Sequence, residues 1–198
     1  MRYINQRDYP EMLYITRTDP DNPGHERGKK TTIKASGCGL CSAIMVADRL
    51  LPAYEFELED AIALSYETGA NHSAGTDYKL FAPAFAEKMG LKLETSKNLA
   101  DLRRCLRTGG AAVLLVGGDR EGHIGLFTHG GHYMMAFGEE PDGRFAILDP
   151  SFYAGKFEEE GRQGKVELKN GIIVLCDGDT LEEETKEKAT PYYLFWRK

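Results

Sequence analysis

The sequence has little that suits a membrane or a nucleic acid. No apolar run approaches the roughly 20 residues that a helix needs to cross a bilayer, which argues against a spanning segment. The opening residues Met1-Arg2-Tyr3-Ile4-Asn5-Gln6-Arg7-Asp8 also lack the apolar stretch of a signal peptide. A cytoplasmic chain is expected, or a secreted one if a leader has been removed. Positive charge is in deficit, with 25 Lys and Arg against 31 Asp and Glu, giving a net charge of -6. That balance works against any partner held mainly through phosphate neutralisation, so no nucleic acid is expected. Cysteine is scarce, with four residues at 38, 41, 105 and 176. An even count implies a disulfide framework only in a short secreted chain, so free thiols are expected, each either a core residue or a reactive group.

What is present fits an ordinary globular protein. Hydrophobic residues make up 41% and charged residues 28% of the 198 positions, which excludes the disordered and membrane classes. A single domain over residues 1–198 is long enough to bury a sizeable core.

Along the chain, Asp19-Pro20-Asp21-Asn22-Pro23-Gly24 and the charged run to Lys30 have the chemistry of an exposed loop. The core restarts at Ile33. Ser36-Gly37-Cys38-Gly39 then opens an apolar stretch to Leu50-Leu51, which reads as a buried helix ended by Pro52. Leu58 to Tyr66 reads as an amphipathic helix stopped at Gly69. A third helix, capped by Thr76, carries Leu80, Phe81, Ala84, Phe85 and Met89, and a fourth, capped by Asn98, carries Leu99, Leu102 and Leu106. After Gly109-Gly110 the pattern changes to short apolar runs at 111–116, 132–137, 145–148, 171–175 and 191–196, which read as strands. Pro141-Asp142-Gly143 between two of them suits a hairpin turn. Helices followed by strands indicate an α+β fold with an antiparallel sheet. Glu182 to Glu187 reads as a solvated charge run.

Three positions could act together. Cys38 stands at a helix start, where unpaired amides and the helix dipole favour a thiolate, and glycines on both sides leave room for a carbonyl group to approach. The same amides could stabilise an oxyanion. A thiolate also needs a proton acceptor, and His132 opens the strand after Gly130-Gly131. Asp149 ends the next strand, beyond the hairpin turn. An antiparallel pair joined by that turn brings the start of one strand near the end of the other, where an imidazole and its carboxylate must meet.

An early glutamine, Ser36-Gly37-Cys38-Gly39 before an apolar helix, Gly130-Gly131-His132-Tyr133 opening a strand and Asp149-Pro150 closing the next together resemble the bacteriocin-processing (double-glycine) peptidase family and its papain-like relatives. The resemblance covers roughly residues 3 to 153. It implies a papain-like fold, with an N-terminal helical half packed on a C-terminal antiparallel sheet, and a peptide or protein substrate. By that resemblance Cys38 is the nucleophile, His132 the general base and later acid, Asp149 the orienting carboxylate and Gln6 the side-chain donor of the oxyanion hole. Gln6 lies 32 residues before Cys38, where only a few are usual, so its role requires the 17–35 segment to loop out.

The expected activity is cleavage of a peptide (amide) bond through a Cys-His-Asp triad and an acyl-enzyme, with no cofactor required. Two other readings stay open: a domain that binds peptides without turning them over, and a thiol-disulfide exchanger using Cys38-Gly39-Leu40-Cys41. The second needs a strand, the motif and a helix within a parallel sheet. Zinc is not expected, because one cysteine pair without further ligands leaves the site incomplete. Cys41, Cys105 and Cys176 sit in apolar patterns and read as core, while His123 and His129 read as an exposed glycine-rich loop bordering the site.

Overall fold

A computed structural model of the chain describes residues 1–16, 32–72 and 75–198. The segment expected to be an exposed loop, 19–30, lies outside the described residues. The helices are α1 (Ile33–Ser36), α2 (Cys38–Leu50), α3 (Leu58–Glu67) and α4 (Tyr78–Lys88), followed by strand β1 (Leu91–Ser96) and α5 (Leu99–Arg107). Strands β2 (Ala111–Val116), β3 (His132–Glu139), β4 (Phe145–Leu148), β5 (Glu167–Lys169) and β6 (Ile173–Cys176) then lead to α6 (Gly178–Thr185) and β7 (Tyr192–Arg197). The seven strands form one sheet in the order β1-β7-β2-β3-β4-β6-β5. Every pairing among the described residues is antiparallel. This is the expected α+β architecture.

The sheet's central strands are apolar on both sides because both faces are covered. Ala111, Val113, Met135, Tyr193 and Phe195 face the core built with α2, α3 and α4. Their strand neighbours Ala112, Leu114, Met134, Tyr192 and Leu194 face a second core that includes Leu102, Cys105 and Leu106 of α5 and Leu181 of α6. Period-two alternation on β2, β3 and β7 thus divides one sheet between two hydrophobic layers. Helix α2 is buried from Gly39 to Ala47, as its nearly all-round apolar sequence requires, and it packs on β2, β3 and β7. The hairpin between β3 and β4 turns where expected, with the Gly143 amide donating to the Glu140 carbonyl at 2.9 Å and Gly143 at φ 86°.

Several details differ from expectation. The half read as helical also contributes β1, which pairs antiparallel with β7. Helix α4 is capped by Asp77, whose carboxylate accepts from the Lys79 amide at 2.8 Å. Thr76 instead turns inward, sharing a 2.8 Å hydrogen bond with the Tyr14 hydroxyl. Asn98 stands at the start of α5 but makes no side-chain capping bond. The charge run 182–187 is not all solvated, because Glu184 lies buried on α6. Its carboxylate accepts from the Leu126 amide at 2.9 Å and bonds His123 Nε2 at 2.8 Å, while the Gly117 amide donates to its carbonyl at 2.8 Å. One glutamate thereby ties down the segment that runs from β2 into β3.

If β2 is central and β5 an edge, equal truncations should have unequal effects. Leu114→Ala, at a fully buried position, should cost about 2–5 kcal/mol in urea unfolding. Leu168→Ala on β5, where the side chain is 42% exposed, should stay within about 0.5 kcal/mol. Equal effects would contradict this layering.

Candidate active site

The site begins with a kink. Helix α1 ends and α2 begins at Gly37, whose amide donates to the Ile33 carbonyl at 2.7 Å. A Cβ at Gly37 would stand 2.7 Å from both the Ile33 carbonyl oxygen and its Cγ2, so only glycine allows this tight junction. Cys38 follows as the first residue of α2. It is partly accessible, whereas Cys41, Cys105 and Cys176 are buried.

Gly39 sets the distance to the sheet. A Cβ there would meet the Tyr78 ring at 2.9 Å and the Tyr133 ring at 3.3 Å. Those rings stack with centroids 4.5 Å apart, and the Tyr78 hydroxyl donates to the Gly39 carbonyl at 2.6 Å. The start of α2 is thereby pressed against Tyr133, the residue after His132.

His132 begins β3 opposite Val116, and Leu148 of β4 pairs with Met135. Continuing that register brings Asp149 alongside the start of β3, on the diagonal from His132. The Asp149 Oδ1 lies 2.7 Å from His132 Nε2. With Nε2 so committed, Nδ1 is the nitrogen left to face the Cys38 thiol, with which the ring interacts electrostatically. His132 and Asp149 thus bond directly, and Cys38 interacts with the same ring.

Electrostatics link the three. Burial pushes the Cys38 thiol up, but the hydrogen bond and charge of His132, then the amides of Tyr133 and Gly39, outweigh it and leave the thiol below its ordinary value. Burial pulls the imidazole down, yet the charge and hydrogen bond of Asp149, followed by those of Cys38, raise His132 to about 9. Burial would also raise the Asp149 carboxyl, but His132 and then Lys156 hold it well below the usual carboxylate range. The thiol is lowered and the imidazole raised, the directions that bring a thiolate and an imidazolium closer to coexisting. Cys41, in contrast, is pushed well above the ordinary thiol range, chiefly by burial.

No family model matches the chain, and no curated protein matches it in sequence. Among solved structures, it is similar to the crystal structure of a candidate C39-like peptidase from Bacillus anthracis. The TM-score is 0.52 at 11% identity, over 82% of this chain and 88% of that one. The fold matches that of a C39-like peptidase. At this identity the likeness shows the fold alone, and it supports the papain-like resemblance at that level.

Within this C39-like fold, Gln6 occupies a short 3-10 helix, Gln6–Asp8, docked beside the site. Its amide donates to the Pro150 carbonyl at 2.7 Å, and its Nε2 donates to the Lys34 carbonyl of α1 at 2.7 Å. The long gap to Cys38 closes because Leu13 forms a bridge with Thr32 and the Ile33 amide donates to the Met12 carbonyl at 2.9 Å. Residues 12–13 are thereby held beside residues 32–33. Gln6 Oε1 is buried without a hydrogen-bond partner.

Lys156 was not apparent in the sequence. It is 3% exposed, and its ammonium donates to Asp149 Oδ2 at 2.6 Å. It stands in an irregular segment after β4, where no periodicity marks a lysine as buried. Tyr3 was also missed, although its hydroxyl donates to the Asp149 carbonyl at 2.6 Å. His129 is exposed as expected, while His123 is half-buried on Glu184. Among the described residues, no group of His, Cys, Asp or Glu is arranged to hold a metal. The antiparallel sheet also lacks the parallel setting that the Cys38-Cys41 exchanger reading requires.

A pH dependence follows from the raised imidazole. A group whose folded value lies above its unfolded one, about 6.5 for histidine, stabilises the fold fully below the unfolded value and loses that contribution as pH rises through the folded one. In a Cys38→Ala protein, where Asp149 still raises the imidazole, urea stability should fall as pH climbs above about 6.5. Adding Asp149→Asn should flatten that slope. A slope unaffected by Asp149→Asn would contradict the pairing.

Proposed function

We propose that this chain is a cysteine hydrolase that cleaves a peptide bond, with residues 1–198 acting as one domain. The observation that carries this reading is the placement of His132 between the partly exposed Cys38 thiol and the buried Asp149, with opposite shifts on thiol and imidazole. In this mechanism the Cys38 thiolate attacks the substrate carbonyl carbon, and the electron pair moves to the carbonyl oxygen. That oxyanion is met by amides at the start of α2, where the helix dipole adds to their effect. One of the two Gln6 Nε2 hydrogens is engaged by the Lys34 carbonyl, and the other is free to join them.

Collapse of the tetrahedral intermediate breaks the C–N bond as His132 gives its proton to the leaving amine, leaving Cys38 acylated. Water then attacks the thioester, His132 accepts its proton, and the acid departs as the thiolate returns. Asp149 keeps the ring orientation and tautomer throughout.

A second reading has one observation in its favour. Gln6 already spends an amide hydrogen on the Lys34 carbonyl and leaves Oε1 without a partner, an arrangement also compatible with a peptide-binding domain that no longer turns its ligand over.

Assayed on a peptide library, the wild-type chain should cleave and Cys38→Ala should lose at least about 10³-fold in rate, while Cys41→Ser retains most activity. Full activity in Cys38→Ala would end the hydrolase reading. A wild-type protein whose Cys38 is readily alkylated yet cleaves nothing would favour the binding reading.

A further inference from the structure

We propose that Lys156 is a positioning residue of the site, acting through Asp149 to fix which carboxylate oxygen faces His132 and to share that carboxylate's charge. The inference rests on the hydrolase reading and deepens it. Asp149 has two oxygens with different duties. Oδ1 is 2.7 Å from His132 Nε2 and accepts from the Ser151 amide at 2.8 Å, while Oδ2 takes the Lys156 ammonium at 2.6 Å. A carboxylate with only one oxygen engaged could turn about its Cβ–Cγ bond and present either oxygen to the ring. With both engaged it has a single orientation.

The lysine is placed deliberately by its surroundings. Gly155, at φ 83°, opens the turn Lys156–Glu158, a left-handed conformation that suits glycine. The Lys156 amide donates to the Tyr153 carbonyl at 3.1 Å. Its ammonium then lies 5.9 Å from the Tyr153 ring centroid and 6.0 Å from that of Phe157, a flank that favours a cation. A buried lysine normally requires a charge partner, and here that partner is the carboxylate behind the imidazole.

Charge sharing matters because His132 must release its proton during each cycle. An imidazolium held by a thiolate on one side and an undivided carboxylate on the other would be a weaker acid toward the leaving amine. Lys156 draws part of the Asp149 charge to itself. Among the described residues, the other titratable or charged groups facing this cluster include Cys38 and Cys41 on α2, Tyr14, Tyr78 and Tyr133 around the start of that helix, Tyr3, Arg7 and Asp8 in the N-terminal segment, and Tyr153 and Glu159 beside the lysine. Lys156 is hydrogen-bonded to the Asp149 carboxylate, and Cys38 acts on the His132 ring from the other side.

The test is the pH profile of iodoacetamide labelling at Cys38, followed by peptide mapping of the full chain. Wild type should show a fast thiol, with an alkaline inflection where His132 loses its proton. In Lys156→Met that inflection should rise by roughly one unit, because the carboxylate then acts undivided on the imidazolium. Lys156→Gln, which keeps a donor without the charge, should show the same rise if the methionine variant fails to fold. Lys156→Arg, which keeps the charge, should return the profile toward wild type. An inflection that stays put or moves down in the uncharged variants would overturn the proposal, leaving Lys156 a structural ion pair. A wild-type Cys38 with neither fast labelling nor an alkaline inflection would instead sink the hydrolase reading itself.

Discussion

Asp149 carries a carboxylate with no exposed surface, and a charge removed from water in this way destabilises a fold unless partners replace the lost hydration. The partners here come from separate parts of the chain. His132 arrives from the start of β3, the Ser151 amide from the turn beyond β4, and the Lys156 ammonium from the segment after it. The N-terminal segment closes over the same place. Tyr3 donates to the Asp149 carbonyl, Asn5 to that of Phe152 and the Gln6 amide to that of Pro150. Satisfying one buried charge therefore fixes the ring of His132 and docks residues 3–6 beside it.

The thiol reaches this assembly by a different constraint, steric rather than electrostatic. Gly37 permits the kink that starts α2, and Gly39 permits α2 to lie against the stacked rings of Tyr78 and Tyr133. Since Tyr133 is next to His132, the same contact that seats the helix sets the reach from sulfur to imidazole. The two-faced sheet supplies the rigid frame, because β2 and β3 are packed on both sides and cannot shift without disturbing both cores.

Much of this was legible in the sequence wherever local chemistry dictates local structure. The Ser36-Gly37-Cys38-Gly39 helix start, the β3–β4 hairpin and the meeting of His132 with Asp149 follow from glycine placement, apolar runs and antiparallel pairing. What escaped depends on contacts remote in sequence. Strand β1 has only the short alternation of Leu91 and Leu93 to announce it and is completed by β7 about a hundred residues later. Thr76 looked like a cap by composition, but the neighbouring Asp77 took that role and left the Thr76 hydroxyl for Tyr14. Glu184 sits in a run of acids and lysines, and its burial is decided by His123 and Leu126 in the segment between β2 and β3. Lys156 is invisible for the same reason, since only the fold shows that Asp149 needs a second cation.

The hydrolase reading requires thiol, imidazole and carboxylate to form one charged unit in the folded protein. NMR of the His132 imidazole nitrogens across a pH series measures this most directly. Both nitrogens should carry protons at neutral pH, and the ring should titrate near 9. A neutral ring at neutral pH, titrating near its ordinary value of about 6.5, would contradict it.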